Sequence, residues 1–288
     1  MQVIKLKEPD VGDLLYQTGR SRRTTATGVA FITDTQIVAI HRSGCKAYLI
    51  DIDPVRKTHT LIHTLTIPTQ TETIVYYNDK LWMNTYTDTL YVLEIKNNKL
   101  TIVKTIKFVD NIRYHGLECR GDYLYVTPST NNAHTHEKLV KYDLKNDSYT
   151  LIDSPDFKQN YRYKDITFLR DDLIVILINY KTVTQMQNKN NSFDGMIGLF
   201  DSDFKLLDSI EFPKAQLDCA ISYNENTFYA TIVNDKGGFL VKGCVENNKF
   251  VQPVEYIKTG DFPHGIDIRG NKLAYTSYSD STVCIIDV

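Results

Sequence analysis

Alanine and tryptophan are scarce in this chain, which has 9 alanines and one tryptophan among its 288 residues. β-Branched and aromatic residues are abundant instead, with 27 Ile, 20 Val, 30 Thr, 19 Tyr and 12 Phe. Such side chains fit a pleated, half-buried sheet and lose rotamer freedom in helices. The composition therefore excludes a helical bundle and predicts an all-β chain.

Long apolar runs are also missing. No stretch approaches 18 apolar residues, and the first thirty residues lack the apolar core of a signal peptide, so we expect neither a membrane span nor secretion. The five cysteines are an odd number, are widely spaced and form no CxxC pair. This pattern is typical of free thiols in a reducing compartment, and we expect a cytoplasmic protein.

Neither sign of charge dominates. The chain carries 33 basic and 35 acidic residues, a formal net charge of −2. This balance argues against nucleic acid or a membrane surface as a partner. Binding partners must therefore be inferred from local clusters of residues.

A repeat runs through the whole sequence. Six segments share an apolar pair, a polar turn and a strongly apolar second strand. The first apolar residues after the turns, which we call the anchors, are Ile37, Leu81, Leu124, Leu173, Phe228 and Leu273. Their spacings of 44, 43, 49, 55 and 45 residues match one four-stranded propeller blade. The sequence predicts a single domain over residues 1–288, a six-bladed β-propeller of four-stranded antiparallel blades.

The sixth repeat ends after its third strand. An alternating stretch at the N-terminus, residues 2–8, would supply the missing fourth strand. Pairing these segments would close the ring and remove two exposed sheet edges.

With this repeat and the segment Pro263-His264-Gly265-Ile266, the chain resembles six-bladed propellers of the NHL, YVTN and gluconolactonase-like kind. The resemblance covers nearly the whole chain and implies that metal chemistry on the propeller axis could occur. The chain lacks the Asn and Asp set of gluconolactonase-type sites and has a lysine there instead. Fold analogy alone assigns no function.

Ionisable residues recur at one position of the repeat, nine residues before the anchor or ten in the fifth blade. In chain order this position holds Gly28, Glu72, His115, Lys164, Asp218 and His264. In a propeller it lies at the mouth of the central channel, and converging ionisable groups are typical of functional sites. A water-filled polar channel is the structural alternative.

Arginines and tyrosines gather on the same predicted face. Six of the ten arginines belong to it: Arg20, Arg22, Arg23, Arg42, Arg113 and Arg162. They are accompanied by His41, Lys181, Tyr86, Tyr114, Tyr161, Tyr163, Tyr180 and Tyr278. Arginine binds carboxylate or phosphate bidentately, so this face could bind anions; a solvated basic rim is the alternative.

Two long loops lie on this face. Residues 131–137 carry His134 and His136, which could bind metal but are more typical of a solvated loop. Residues 179–195 form the longest insertion, and such loops are often lids or binding loops.

The residues favour binding of a small anionic ligand, of the sugar acid, sugar phosphate or nucleotide sugar kind. The predicted catalytic residues are His115, His264 and Lys164, which would supply acid–base chemistry. The predicted ligand-binding residues are Arg113, Arg162, Arg42, His41, Tyr163, Glu72 and Asp218.

Two alternatives remain open. Glu72, His115, Asp218 and His264 could bind one divalent metal, Zn, Mn or Mg, in a lyase or lactonase-like hydrolase. The basic, tyrosine-rich face could instead dock an acidic protein partner. GxSxG, P-loop and Rossmann motifs are missing from the sequence.

Overall fold

A computed structural model of the protein describes residues 1–6, 25–85, 87–108, 114–128, 138–154, 156, 161–180, 193–260 and 262–288. The regular elements in these ranges are β-strands, arranged in six antiparallel sheets. The predicted fold class, a six-bladed β-propeller of four-stranded blades, is confirmed. Within these ranges there is no helix that could span a membrane.

The chain divides into two compact units. The first unit comprises Met1–Phe108 and His264–Val288, and the second comprises Val109–Pro263. Three blades belong to each unit. The single domain over residues 1–288 stays a prediction.

The first unit holds blades 1, 2 and 6. Blade 1 consists of β2 (Ala26–Thr33), β3 (Gln36–His41), β4 (Lys46–Asp53) and β5 (Thr58–Thr66). Blade 2 consists of β6 (Thr71–Tyr77), β7 (Lys80–Thr85), β8 (Thr89–Lys96) and β9 (Lys99–Lys107). Blade 6 consists of β23 (Pro263–Arg269), β24 (Lys272–Ser277), β25 (Thr282–Asp287) and β1 (Gln2–Lys5).

The N-terminal strand completes blade 6, as the sequence predicts. β1 pairs antiparallel with β25, from Gln2 opposite Ile285 to Lys5 opposite Thr282. The strand is shorter than the predicted residues 2–8: Leu6 follows it, and residues 7 and 8 lie outside the described ranges.

The second unit holds blades 3, 4 and 5. Blade 3 consists of β10 (Tyr114–Arg120), β11 (Tyr123–Pro128), β12 (Leu139–Asp143) and β13 (Ser148–Ile152). Blade 4 consists of β14 (Tyr161–Arg170), β15 (Leu173–Tyr180), β16 (Asp194–Asp201) and β17 (Leu206–Phe212). Blade 5 consists of β18 (Gln216–Asn224), β19 (Thr227–Asn234), β20 (Gly237–Glu246), β21 (Lys249–Phe250) and β22 (Glu255–Lys258). β21 and β22 pair with successive parts of β20 and together take the place of the fourth strand.

The predicted loop 179–195 is shorter than expected at both ends. β15 continues to Tyr180, and β16 begins at Asp194, because these residues pair with each other across the sheet. Residues 181–192 lie outside the described ranges.

The first strands share an irregularity near their start that positions the candidate site. The register with the second strand shifts between Ala26 and Val29, Thr71 and Ile74, Tyr114 and Leu117, Tyr163 and Asp165, and Leu217 and Ala220. Such bulges re-aim side chains and are common beside functional sites. The residues that lie within these bulges, outside the regular register, include Thr27, Glu72, His115, Lys164 and Asp218.

Candidate functional site

The bulges of blades 3, 4 and 5 bring three ionisable side chains together in the second unit. The Asp218 carboxylate is buried, 3.0 Å from the Lys164 ammonium and 3.8 Å from His115 Nε2. Gln216 Nε2 also donates to both carboxylate oxygens of Asp218, at 3.1 Å each. We call His115, Lys164 and Asp218 the bulge cluster. Its ion pair compensates a charge that burial would otherwise make costly.

The His115 ring is fixed by the backbone of the next blade. Its Nδ1 lies 2.8 Å from the Lys164 carbonyl oxygen. A carbonyl only accepts hydrogen bonds, so Nδ1 must be the donor and must carry a proton. The same carbonyl accepts a bond from the Thr127 hydroxyl at 3.0 Å. The neutral ring therefore has its lone pair on Nε2, the atom that faces Asp218.

His264 repeats this arrangement in the first unit. Its Nδ1 lies 3.0 Å from the Thr27 carbonyl oxygen, which also accepts from the Thr276 hydroxyl at 3.1 Å. The ring of Tyr278 stacks on His264 with centroids 5.6 Å apart. Thr27, rather than the predicted Gly28, is therefore the blade 1 residue at this position, because the blade 1 bulge begins one residue earlier.

Glu72 lies beside His264. The Glu72 carboxylate and a ring nitrogen of His264 are within 4.8 Å of each other, and both side chains are at most 4% exposed. Arg42 forms an ion pair with Glu72 at 2.8 Å. Arg42, predicted to capture a ligand anion, is thus engaged by a carboxylate of its own chain.

His41, a predicted ligand-binding residue, is hydrogen-bonded within the turn that follows β3. Its Nδ1 accepts a bond from the Gly44 backbone N–H at 3.0 Å, so Nε2 carries the proton and donates to the Ser281 hydroxyl at 3.3 Å. The ring is fully buried. His41 therefore stabilises the β3–β4 turn.

The other predicted ligand-binding residues have separate environments. Tyr163 is 1% exposed and packs in a hydrophobic cluster with Ile166. The Arg162 guanidinium lies 4.3 Å from the ring centroid of Phe193, a cation–π contact. Arg113 lies outside the described residues. So do seven other predicted face and loop residues: Arg20, Arg22, Arg23, Tyr86, His134, His136 and Lys181.

Four acceptors on the second strands were not predicted. Each accepts a hydrogen bond from a backbone N–H in a first-strand bulge, or at the matching position of blade 6. The pairs are Asn84 with Thr73, Thr127 with Gly116, Thr231 with Cys219 and Thr276 with Gly265, at 2.8–2.9 Å. A sequence signal existed, because all four acceptors stand three residues after the anchor of their repeat.

Two further carboxylates tie neighbouring blades together: Asp165, which is buried, and Asp267, which is half-buried. Asp165 accepts from the backbone N–H groups of Ala220, at 2.9 Å, and Ile166, at 3.0 Å. Burial raises its pKa from the usual 3.8 to about 7, although these bonds oppose the rise. Asp267 in the first unit accepts from Phe31 N–H at 2.6 Å, and burial raises its pKa to about 6.

Comparison with known proteins supports the fold. The chain matches no protein-family model and no curated protein sequence. It is similar in structure to virginiamycin B lyase from Staphylococcus aureus, with 12% identity over 98% of this chain and 97% of that chain and a TM-score of 0.59.

Two other solved structures are similar to a comparable degree. A catalytically inactive histidine-to-alanine variant of the same S. aureus lyase, with quinupristin, has 11% identity over 100% and 99% of the two chains and a TM-score of 0.60. The WD40 repeats of RRP9 have 10% identity over 93% and 96% and a TM-score of 0.63. At these identities the likeness shows a β-propeller and nothing finer. Membership of the NHL, YVTN or gluconolactonase-like families stays a prediction.

Proposed function

We propose that the protein binds a small anionic ligand, of the sugar acid or sugar phosphate kind, at the bulge cluster, and that His115 moves a proton on it. The observation that carries the proposal is the Asp218 carboxylate placed between the Lys164 ammonium and His115 Nε2. This group of side chains combines a cation that attracts the ligand with an imidazole of fixed tautomer.

The charge of the cluster predicts how binding depends on pH. With a neutral imidazole, Lys164 and Asp218 cancel, and the cluster has no net charge. With an imidazolium, the cluster carries one positive charge. An anion therefore favours protonated His115, and binding should take up protons and strengthen as pH falls.

The fixed orientation of the His115 ring supports the proposed acid–base role. Because Nδ1 is committed to the Lys164 carbonyl, Nε2 is the atom that would accept or return a proton. The fold itself is compatible with such chemistry, since a similar propeller is a lyase that a histidine-to-alanine change inactivates.

The proposal is tested by calorimetric titration with glucuronate and with inorganic phosphate. Lys164→Gln should weaken binding about tenfold or more, because it leaves the Asp218 carboxylate to repel the ligand. Lys145→Gln is the matched control, since Lys145 pairs with Asp122 at 2.7 Å on the surface. Equal affinity of both variants would contradict the proposal.

A buried charge left without its partner can unfold a protein, so a second variant is needed. The double change Lys164→Gln with Asp218→Asn keeps the cluster neutral and should fold. It should still bind anions more weakly than the wild type, because the Lys164 ammonium is gone and only a protonated His115 can supply a positive charge. Unchanged affinity in this variant would overturn the role of Lys164.

A metal-dependent function is the second candidate, and the hydrogen bond of His264 favours it. Metal-binding histidines usually donate their other ring N–H to a carbonyl or carboxylate, as His264 does to Thr27. Glu72 could supply the carboxylate ligand, in competition with Arg42. The predicted partners His115 and Asp218 form their own pair in the second unit.

Titration with Zn²⁺, Mn²⁺ and Mg²⁺ separates this candidate from anion capture. If the metal function holds, Glu72→Gln and His264→Gln should each remove a tightly bound equivalent. Glu94→Gln, at the ion pair with Lys96, is the control. A metal that persists in both site variants would rule out Glu72 and His264 as ligands.

A further inference from the structure

Asp165 is a buried carboxylate next to the bulge cluster that the proposed function does not use. It follows Lys164 directly and is the first residue after the β14 bulge to pair regularly with β15. Its side chain is 3% exposed. Its contacts involve all three strands that carry the cluster, β10, β14 and β18.

The Asp165 carboxylate ties blade 4 to the bulge of blade 5. One oxygen accepts from the Ala220 N–H at 2.9 Å, and the Cys219 thiol also donates to the carboxylate. These two residues follow Asp218 directly, and the regular pairing of β18 with β19 resumes at Ala220. The other oxygen accepts from the Ile166 N–H at 3.0 Å, which fixes the side chain on its own strand. The position of the Asp218 bulge therefore depends on Asp165.

Asp165 also packs against the bulge of blade 3. The carbonyl that accepts from His115 Nδ1 belongs to the peptide that joins Lys164 to Asp165. A Cβ built on Gly116 would lie only 2.5 Å from the Asp165 Cα and would overlap Asp165 Oδ1. A shift of Asp165 would therefore also shift the acceptor that holds the His115 ring.

We propose that Asp165 is a positioning residue for the bulge cluster, which holds the His115 ring and the Asp218 carboxylate in place through its contacts with both bulges. Asp165 acts through these two residues and does not itself bind the ligand. This inference rests on the function proposed above, since anion binding is one of its two readouts. The other readout is the tautomer of His115, which can be measured whether or not the protein binds an anion.

Two substitutions of Asp165 test the inference. Asp165→Ala removes both acceptor oxygens, and Asp165→Asn replaces one of them with an amide NH₂ group, which cannot accept. Glucuronate binding, measured by calorimetry, should weaken about tenfold in Asp165→Ala and about threefold in Asp165→Asn, because the cluster loses its alignment.

The tautomer of His115 is measured by NMR from the ¹⁵N shifts of its ring nitrogens. The signals are assigned by their loss in His115→Gln, and the spectra are recorded at about pH 9, where the ring is neutral. Both Asp165 variants should show a smaller fraction of the Nδ1–H tautomer than the wild type, because the Lys164 carbonyl is no longer held against Nδ1.

Asp267 in the first unit offers a matched control. It accepts from the backbone N–H groups of Phe31, at 2.6 Å, and of Ile268, at 2.8 Å, so it also ties two blades together. Asp267→Ala and Asp267→Asn should lower the melting temperature, as the Asp165 variants do. They should leave the His115 tautomer and the affinity for glucuronate as in the wild type.

A wild-type His115 tautomer in the folded Asp165 variants would overturn the inference, as would an equal change of the tautomer in the Asp267 variants. Unchanged glucuronate affinity in the Asp165 variants would overturn it as well. If Asp165→Ala does not fold, Asp165→Asn decides by the same criteria. If the wild type binds neither glucuronate nor phosphate, the proposed function fails, and the tautomer still decides whether Asp165 positions His115.

Discussion

His41, His115 and His264 are all buried, yet their ring nitrogens bond to different partners. Nδ1 of His41 accepts from a turn N–H, whereas Nδ1 of His115 and of His264 donates to the carbonyl of another blade. The repeat spacing predicted where His115 and His264 lie. The sequence could not separate them in role from His41, because the partner that fixes each ring is distant in the chain or is a backbone group.

The Thr127 and Thr276 hydroxyls, which donate to the same carbonyls as His115 and His264, should contribute to stability. Thr127→Val keeps the shape of the side chain but leaves the Gly116 N–H without its acceptor in a buried bulge. We expect a loss of about 1–3 kcal/mol in the free energy of unfolding, measured by urea denaturation. Thr101→Val, at an exposed position of β9, is the control and should change it by less than about 0.5 kcal/mol.

Asp165 should make stability depend on pH in a direction unusual for an aspartate. Its pKa rises from 3.8 in the unfolded chain to about 7 in the folded protein, so the folded state holds the proton more tightly. Its contribution is complete below pH 3.8 and is lost as pH rises through about 7. The stability of the wild type relative to Asp165→Asn should therefore fall with rising pH across this window. Urea denaturation at several pH values measures it, and a relative stability that rises with pH would contradict the burial argument.

At the scale of the element, the start of the first strand depends on a glycine in blade 3 and in blade 6. A Cβ on Gly116 would overlap Asp165 Oδ1 and lie 2.7 Å from the Lys164 carbonyl oxygen. A Cβ on Gly265 would overlap the Thr27 carbonyl oxygen. The glycine after each histidine is therefore a packing requirement, because it permits the close approach of the next blade.

Gly116→Ala should consequently cost about 3 kcal/mol or more, since backbone atoms must move apart. Gly121→Asn is the matched control in the same blade. Gly121 has a φ of +57° and open space around it, and asparagine already adopts such angles at Asn78 and Asn97. Thermal and urea unfolding compare the two variants, and a similar small loss in both would show that the bulge can expand.

The N-terminal strand provides a second test of an element. Ile4 is 1% exposed, and its neighbour Val3, on the opposite face of β1, is 50% exposed. Ile4→Asp should lower the free energy of unfolding by about 3–5 kcal/mol, whereas Val3→Asp should have an effect near zero. If both variants are equally stable, β1 does not close blade 6 in solution.

At the scale of the whole molecule, the sequence predicted the architecture but not the pairing of charges. Repeat spacing and alternating apolar residues encode six blades, because each blade must bury its own second strand. The expected basic face was harder to predict, since charge pairing depends on which blades are neighbours. Arg42 pairs with Glu72 and Lys164 with Asp218, so these cations are compensated within their units.

The whole chain is close to neutral, with a net charge of −2, and the Lys164–Asp218 ion pair makes the bulge cluster neutral when His115 is neutral. If the cluster binds an anion, as we propose, binding should favour protonated His115 and should be accompanied by proton uptake. A surface patch of unpaired cations would bind anions without this coupling.

The most direct measurement is calorimetric titration with glucuronate near pH 7 in two buffers that differ in ionisation enthalpy. We predict that binding takes up a fraction of a proton and that this uptake disappears in His115→Gln. Binding without proton uptake, or the same uptake in wild type and His115→Gln, would contradict the coupling of anion binding to protonation of His115.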